Sequence, residues 1–335
     1  MPILRRLWSH LPTALLGLSL ALHFATLVLY IRLPLKFAAF TVFPIWVWGL
    51  LGLGMTALVY LFFRRPGSLL LSVVWILTIL VLSDEARSLG RLGMEPMTRG
   101  PAAPHAGSKV LRVATLNCRG TADPIEALGD FVPDVIFLQE MPHAYRLKRF
   151  IDQVFEGNGE YRYNAGKGCA VVVRGTVHHN LPIPNSRSQL VGVELPDGRH
   201  LELLNIHLRS AATNLNLHRR DCWHEHRQNR ALRQVELSIV LNALKQHTAY
   251  PRIPTLIAGD FNAPANDSVY RILKQNFTDA FGTVGVGWGN TFHSTLPLLR
   301  IDQIYSSDKL TPVRSQVFTV KNSDHRLVVA DFVYR

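Results

Sequence analysis

Long apolar runs occupy the first third of the chain. Leu11 to Ile31 is a run of 21 residues without a formal charge, and Phe37 to Phe63 is a second uncharged run. Because a helix needs about 20 apolar residues to cross a hydrocarbon core of roughly 30 Å, both runs predict membrane-spanning helices. A third run, Leu69 to Leu82, has 14 residues, which fits either a short span or a helix at the membrane interface.

Basic residues beside these runs predict an orientation. Arg5 and Arg6 precede the first run and Arg64 and Arg65 follow the second, so both pairs share one side with either two or three spans. Positive residues favour the cytoplasmic side, which places the amino end inside. Three spans then place the rest of the chain outside the cytoplasm, whereas two spans keep it inside. We expect three spans, in a multi-pass protein of a bacterial inner membrane with its large domain in the periplasm.

After residue 108 the apolar runs are shorter, and several end on a polar residue. Short β-branched runs bounded by turn residues predict strands, and an apolar repeat of three to four residues predicts a helix. Many strands with few helices between them favour an α/β (α+β) fold, with two sheets packed face to face and helices outside. The predicted strands are Val110 to Leu116, Asp134 to Glu140, Gly168 to Arg174, Leu190 to Leu195, Leu201 to His207, Thr255 to Asp260, Arg300 to Tyr305 and Leu327 to Val333, and the predicted helices are Pro124 to Phe131 and Arg227 to Gln246.

Proline and glycine are concentrated between Met94 and Ser108, which predicts a linker. We therefore predict a membrane anchor of two or three helices over residues 1–92, a linker over residues 93–108 and a catalytic domain over residues 109–335. The chain has 36 Lys and Arg against 24 Asp and Glu, a net charge of +12. Such a charge suits a polyanion, either nucleic acid or anionic lipid, and equally serves solubility and topology. The 3 cysteines show neither zinc-site spacing nor a disulfide framework.

Residues at the predicted strand ends match the needs of phosphoester cleavage. That reaction uses a hard cation at the phosphate, a base that activates water and a proton source for the leaving group. Asn117 and Glu140 form the sparse oxygen set that Mg²⁺ accepts. Asp260 and Asn262 alternate along one strand end, so both side chains can face one cavity.

An imidazole and two carboxylates complete the candidate chemistry. Ser323-Asp324-His325 places a carboxylate beside the imidazole, and Asp302, on a separate predicted strand, can orient that imidazole. Each of these residues alone has an ordinary explanation as a strand end, a turn or an ion-pair partner. Their combination is what predicts a catalytic site.

The candidate residues stand in six ordered motifs that resemble the endonuclease/exonuclease/phosphatase superfamily, which includes pancreatic-type deoxyribonucleases and neutral sphingomyelinases. The chain looks like a membrane-anchored bacterial-type member. The resemblance implies a four-layer α/β sandwich with two packed mixed β-sheets, here preceded by an all-α transmembrane segment. The motifs are Leu116-Asn117-Cys118-Arg119, Gln139-Glu140, His207-Leu208, Gly259-Asp260-Phe261-Asn262, Arg300-Ile301-Asp302 and Ser323-Asp324-His325.

The resemblance also implies roles for these residues. Mg²⁺, with Mn²⁺ as the second choice, would be held by Asn117 and Glu140, and Asp324 would complete its shell directly or through water. The water would be activated by His325, which Asp302 orients. Asp260 is the alternative base, and with Asn262 it would position the nucleophile and the phosphate. His207 would contact the phosphate or the leaving group, and Thr291 matches a structural threonine of the family.

Three functions remain open at this stage. The leading one is a Mg²⁺-dependent phosphoesterase that cleaves a lipid headgroup phosphoester, because a membrane tether raises the effective concentration of lipid. The alternative is an endonuclease or exonuclease, which the basic charge and His207 favour. A third is a catalytically silent membrane protein that binds polyanions. Such a protein would have lost a metal or base residue, and none is lost here.

A basic and aromatic segment, Leu215 to Arg233, falls outside these motifs. It contains five arginines and three histidines around Trp223. It predicts either a surface that meets headgroups or another polyanion, or the solvated start of a helix. The spacing of its histidines matches no clear metal site.

Overall fold

The computed structural model describes residues 2–210 and 214–335, with side chains from residue 8 onward. The chain forms two compact units, one of Met1–Arg87 with Asn214–Arg227 and one of Ser88–Thr213 with Gln228–Arg335. The helices are α1 Pro2–Arg32, α2 Ala38–Thr41, α3 Ile45–Phe63, α4 Gly67–Leu82, α5 Asp84–Leu89, α6 Tyr145–Val154, α7 Arg220–His247 and α8 Ala280–Val284, and short 3-10 helices cover Leu35–Phe37, Asp123–Asp130 and Ser268–Arg271.

The first unit contains the apolar helices α1, α3 and α4. Among the described residues, two helices are long and apolar enough to cross a membrane by length and composition, namely Trp8–Arg32 and Ile45–Phe63. The second apolar run is therefore not one helix. It breaks at Pro44, and α3 begins at Ile45, because proline lacks the amide hydrogen that a continuing helix would need.

Close helix packing in the first unit depends on small residues. Trp75 of α4 is fully buried, and its ring lies where a Cβ on Gly52 of α3 would come within 2.1 Å. The Trp75 indole Nε1 donates to the Ser19 hydroxyl of α1 at 3.0 Å. Glycine therefore lets the indole sit between α1 and α3, as small residues do in membrane helix pairs.

Twelve strands are described, all in the second unit. They are β1 Leu111–Asn117, β2 Val135–Gln139, β3 Glu160–Asn164, β4 Cys169–Val173, β5 Thr176–Pro182, β6 Gln189–Glu194, β7 His200–His207, β8 Thr255–Asp260, β9 Thr278–Asp279, β10 Asp302–Ser306, β11 Leu310–Phe318 and β12 Leu327–Tyr334.

The described strands form two six-stranded sheets. The first sheet has the order β11-β12-β1-β2-β4-β3, and the second has the order β5-β6-β7-β8-β10-β9. The pairs β1–β2 and β7–β8 are parallel, and the other pairings are antiparallel, so both sheets are mixed.

Three apolar layers hold the second unit together. Valine and leucine side chains such as Val113 and Leu203 fill the space between the two sheets. Leu147 of α6 packs in a cluster on the outer side of the first sheet, and Leu237 of α7 packs in one on the outer side of the second. The order of layers is helix, sheet, sheet, helix, which confirms the predicted fold class.

The sequence pattern predicted the buried strands well and the exposed ones poorly. In the second unit, strands β3, β5, β9 and β11 and helices α6 and α8 were not predicted. Strand β5 alternates exposed and half-buried residues, and every residue of β3 is half-buried, so neither shows the continuous apolar run that marks a core strand.

The segment predicted as a linker packs on the first sheet. The guanidinium of Arg112, fully buried in β1, donates to the backbone carbonyls of Thr98 and Gly100 at 2.9 and 2.7 Å. Arg112 and Arg314 also share the buried carboxylate of Asp331, at 2.7 and 2.9 Å. The buried charges are thus paired, which the low polarity of a protein interior requires. The predicted domain limits at residues 92 and 108 remain predictions.

The basic segment Leu215 to Arg233 divides between the two units. In the first unit, the Trp223 ring lies edge-on to Phe37 with centroids 5.9 Å apart, and its Nε1 donates to the Leu217 carbonyl. In the second unit, Arg230 and Arg233 are buried and contact Asp267. The hypothesis that the whole segment meets a polyanion is therefore wrong for these two arginines.

Candidate active site

The polar strand ends meet at one edge of the two packed sheets. In the first sheet, Asn117 at the end of β1 pairs in register with Gln139 at the end of β2. In the second, Asp260 at the end of β8 pairs with His207 at the end of β7 and with Asp302 at the start of β10. Parallel pairing brings the carboxyl ends of neighbouring strands to the same edge, so the polar and ionisable side chains at these strand ends are concentrated there.

The Asp260 carboxylate joins the two sheets at this edge. It is 1% exposed, and its Oδ2 accepts from the Asn117 Nδ2 at 3.0 Å and from the Asn262 Nδ2 at 3.1 Å. Its Oδ1 accepts from the Asn262 backbone N–H at 2.8 Å. Asn117 Nδ2 also donates to the Glu140 Oε1 at 3.2 Å. Asn117 therefore links Asp260 to Glu140.

Two of these residues have left-handed backbone conformations. Glu140 has φ +49° and Asn262 has φ +50°. Asparagine tolerates this region, but it is unfavourable for a glutamate, and residues held there cluster at functional sites. The strain aims the half-exposed Glu140 side chain at the edge where the strands end.

His325 and Asp302 form the imidazole–carboxylate pair that the sequence predicted. His325 Nδ1 lies 2.8 Å from Asp302 Oδ2, and both side chains are buried. The Ser323 hydroxyl accepts from the His325 backbone N–H at 3.0 Å and donates to the Asn117 carbonyl at 2.7 Å. Ser323 therefore ties the histidine loop to the end of β1.

The charges around this pair shift the pKa values of its members. Burial lowers the pKa of His325, but Asp302 and Asp260 outweigh it and raise that pKa to about 10. Burial, followed by the charge of Asp302, raises the pKa of Asp260 to about 7. Without a metal, these shifts favour a protonated His325 beside the Asp260 and Asp302 carboxylates. Two buried carboxylates repel each other unless a positive charge lies near them.

His207 is buried and neutral. Burial, helped by the charges of Arg187 and His325, lowers the pKa of His207 to about 3. Its Nε2 lies 3.4 Å from the Arg187 Nη1 and 3.6 Å from the Glu140 Oε1. Its Nδ1 has no hydrogen-bond partner among the described residues. A neutral imidazole in this position can accept or donate a hydrogen bond but does not supply a positive charge to a phosphate.

Asp324 lies outside the groups of carboxylates and histidines at this edge. Its carboxylate is 21% exposed and lies 3.6 Å from the Arg119 Nε. Within the described residues, it belongs to neither group of carboxylate and histidine atoms that come within 4.8 Å of one another at this edge. The two groups are Glu140, His207 and Asp260, and Asp260, Asp302 and His325.

The donor atoms at this edge fit a divalent cation. The Asp302 Oδ1 is buried and has no hydrogen-bond partner among the described residues, and Asp302 is close to the equally buried Asp260. Together with Glu140, they place three carboxylates at this edge, whereas the Asn117 amide presents its Nδ2 to Glu140 and Asp260 and its Oδ1 accepts from the Arg119 backbone N–H at 2.9 Å. Such an oxygen-rich set matches the preferences of a hard cation such as Mg²⁺ or Mn²⁺.

Comparison with known families identifies the domain. The sequence profile of the endonuclease/exonuclease/phosphatase family matches residues 114–325, which include all the polar strand ends described above. The chain belongs to the endonuclease/exonuclease/phosphatase family. It is therefore a hydrolase of phosphoester bonds, in a family whose enzymes typically depend on divalent metals. A comparison with curated protein sequences finds no match.

Solved structures share the fold of this family member at low sequence identity. An endonuclease/exonuclease/phosphatase family protein from Bacteroides thetaiotaomicron is 17% identical, with a TM-score of 0.54 over 68% of this chain and 99% of that one. A mannosyl-6-phosphatase from the same species is 17% identical, with a TM-score of 0.52 over 67% and 100%. A humanized D. rerio TDP2 is 19% identical, with a TM-score of 0.51 over 67% and 98%. These likenesses show the shared fold.

Two residues at the site, Arg187 and Asn205, were not predicted from the sequence. Arg187 contacts His207 but lies in a loop with no motif, so no sequence signal marks it. Asn205, two residues before His207, accepts from the Gln139 Nε2 at 2.7 Å and ties the second sheet to the first. A polar residue facing inward in an apolar strand was the available signal for Asn205.

Thr291 provides a test of how the site is held. Its Oγ1 accepts from the backbone N–H groups of Ile301 and Asp302, both at 3.1 Å, and so fixes the start of β10. We expect Thr291→Val to lower kcat about tenfold, because small misplacements of a catalytic group are costly. Thr291→Ser keeps the hydroxyl and should retain at least half of the activity. The measurement is kcat and KM for a chromogenic phosphodiester, with the melting temperature of each variant. A lower melting temperature with kcat unchanged would limit Thr291 to a structural role.

Proposed function

We propose that this phosphoesterase is anchored in a membrane and cleaves a phosphoester in a lipid headgroup with the help of Mg²⁺. A groove of the second unit carries the proposal. It has a volume of about 760 Å³ and is lined on one side by the cations Lys167, Arg187 and Arg209. The lining residues of α7 are the apolar Leu232, Val235 and Ile239 together with Glu236, whose carboxylate accepts from the Arg209 backbone N–H. A phospholipid combines the same two properties, because its charged phosphate adjoins acyl chains.

The apolar wall is an exposed stripe. Leu232, Val235 and Ile239 are 37%, 57% and 44% exposed, and their spacing places them on one face of α7. A continuous apolar stripe that remains exposed on a folded domain is typical of a binding surface. Arg187 belongs to both the groove and the catalytic edge, since it also contacts His207. A ligand that fills the groove would thus have its phosphate beside the catalytic residues.

The groove favours lipid over nucleic acid. Proteins that bind single strands combine cations with aromatic rings on which bases stack. The described groove residues include no aromatic ring, and the apolar ones among them are aliphatic. The basic net charge of +12 supports a nuclease as the second candidate. The two candidates share the same catalytic edge and differ in what binds beside it.

The catalytic residues have distinct roles in this proposal. Glu140 and the amide oxygen of Asn117 would hold the cation, with Asp324 contributing directly or through water. When bound, a divalent cation would supply positive charge for the phosphate and would lower the pKa of a water beside it. A cation near His325 would also lower the pKa of the imidazole, so that the histidine accepts the proton of the attacking water while Asp302 stabilises the resulting charge.

Asp260 and His207 complete the mechanism. Three hydrogen bonds already occupy the Asp260 carboxylate, which suits a positioning role, with Asn262 held against it. His207, neutral and joined to Arg187, can donate a hydrogen bond to the phosphate or the leaving group. This division makes His325 the base and Asp260 a positioning residue.

A substrate panel with the full chain in detergent tests the function. We expect hydrolysis of phospholipids in vesicles, loss of that activity with a chelator, and recovery with Mg²⁺ or Mn²⁺. Glu140→Ala and His325→Ala should each lower turnover by more than about a hundredfold, because each removes a group that acts in the transition state. The exposed Glu126→Gln is the control and should keep its rate. Activity confined to DNA or RNA would contradict the lipid assignment and leave the phosphoesterase intact.

The groove is tested by removing its apolar wall. We expect the double variant Val235→Ser with Ile239→Ser to lose at least about tenfold more activity on phospholipid vesicles than on a water-soluble phosphodiester. Each buried aliphatic side chain contributes about 1.5–3 kcal/mol, so the loss should appear mainly in KM for the vesicles. The equally apolar Ile272, exposed elsewhere on the domain, gives the control Ile272→Ser. Equal losses on both substrates would show that the groove does not bind the acyl chains.

We also propose that α1, α3 and α4 all span the membrane and that the catalytic domain is periplasmic. Helix α4, with 16 residues, is only about 24 Å long. Yet polar contacts tie its central turns to the other two helices, with Ser72 2.7 Å from Thr56 and Thr78 2.9 Å from His23. A helix lying flat at the interface would not make contacts with both neighbours at successive turns.

Reporter fusions at the carboxyl end test this topology. A phosphatase that folds only in the periplasm should be active when fused after Arg335, and a fluorescent protein that folds only in the cytoplasm should be dark. Fusions placed after Arg65, between α3 and α4, should give the opposite pattern. A fluorescent carboxyl-terminal fusion would place the catalytic domain in the cytoplasm and reduce the spans to two.

A further inference from the structure

Histidines and glutamates gather on the outer strands of the second sheet, away from the catalytic edge. His178 of β5, Glu194 of β6 and His200 of β7 come together there. His200 starts β7 and His207 ends it, so the cluster lies about 23 Å along the strand from the catalytic histidine. Its side chains point outward, because the alternate residues Val193 and Leu201 fill the core between the sheets.

Strand pairing and a bulge create this cluster. Glu194 pairs directly with His200, which places their side chains next to each other on one face. On the other side of Glu194, the register between β5 and β6 shifts between Val177 and His179. A bulge inserts one extra residue and re-aims its side chain, and here it brings His178 onto the face occupied by Glu194.

His179, the residue after His178 at the bulge, also points toward the outer face of the sheet. His179 Nε2 lies 3.2 Å from the Glu202 Oε2, across β6. The strand between them carries Gly192, where a Cβ would meet the His179 ring at 2.2 Å. Glycine at this position lets the imidazole lie flat over the strand. The His179–Glu202 pair therefore lies on the same face of the sheet, beside His178, Glu194 and His200.

The three ligand atoms have the spacing of a metal site. One atom each from His178, Glu194 and His200 lies within 4.8 Å of the others, and His178 Nε2 is 3.0 Å from the Glu194 Oε2. A cation with bonds of about 2.0–2.2 Å to such ligands fits between them after small side-chain rotations. An ion pair of His178 and Glu194 alone would not need the third ligand, His200, on the next strand.

We propose that His178, Glu194 and His200 bind a transition-metal ion of the zinc class on the outer face of the second sheet. Two imidazoles and one carboxylate select Zn²⁺, Ni²⁺ or Cu²⁺ over Mg²⁺, which prefers oxygen ligands alone. Half-exposed ligands leave room for water in the remaining positions. This site is thus chemically different from the oxygen-rich catalytic edge.

Metal binding at this cluster would hold the edge strand β5 to its neighbours. Strand β5 is the edge strand of its sheet, and the three ligands lie on β5, β6 and β7. An edge strand presents unpaired backbone groups and is the least constrained part of a sheet. A metal ion bound to one residue on each strand would fasten the edge strand to the interior of the sheet. The folded protein should therefore be stabilised by zinc independently of catalysis.

The test uses the full chain in detergent with Co²⁺ as a spectroscopic probe and Zn²⁺ as its competitor. Glu140→Ala serves as the parent, because it weakens the catalytic metal site. We expect the parent to show visible Co²⁺ absorption that Zn²⁺ abolishes, and Zn²⁺ to raise its melting temperature. His178→Ala with His200→Ala should weaken Zn²⁺ binding by at least about tenfold and remove the rise in melting temperature.

Two further variants separate loss of Zn²⁺ binding from misfolding and from the removal of any exposed histidine. Glu194→Gln preserves the shape of the cluster and removes one charged ligand, so it should also weaken Zn²⁺ binding even if the double variant folds poorly. His247→Ala removes an exposed histidine at the end of α7 and should bind Zn²⁺ like the parent. Unchanged Zn²⁺ affinity in both cluster variants would overturn the proposal. So would loss of all Zn²⁺ binding in the Glu140→Ala parent, which would assign the metal to the catalytic edge.

Discussion

The hydrogen bond from Asn117 to Asp260 is the interaction on which the organisation of the catalytic edge depends. It crosses between two sheets whose shared interior is mainly apolar, and its 3.0 Å length places the ends of β1 and β8 beside each other. The bond from Gln139 to Asn205 repeats this polar crossing nearby. Buried polar groups are costly unless paired, so these crossings favour one alignment of the sheets over its neighbours.

The alignment of the two sheets also brings buried carboxylates together at the catalytic edge. Asp260 and Asp302 are both buried, and their proximity would be unfavourable without a cation or a proton nearby. His325 supplies the positive charge in the free protein, and a metal ion can replace that role when bound. Gly259 contributes from the backbone, because a Cβ there would lie 2.0 Å from the Ile206 carbonyl and separate β7 from β8.

The catalytic edge, which both sheets share, the groove and the outer histidines occupy different parts of the second unit. The catalytic residues lie where β7 and β8 end, and the proposed zinc site lies where β7 begins. The groove adds apolar surface from α7, where two arginines of the same helix are instead buried against Asp267. One helix thus combines an exposed aliphatic stripe with two buried arginines, which explains why charge counts alone misjudge its role.

The sequence by itself determined the apolar helices, most buried strands, the family and the identity of the candidate site residues. These features are local, since a strand or span is marked by its own apolar run and each motif by adjacent residues. Only the tertiary structure decided that Arg187 meets His207, that Arg230 and Arg233 are buried, and that His178 joins Glu194 and His200. Those contacts join residues on different strands and loops, and sheet register and a bulge set them, which no local pattern encodes.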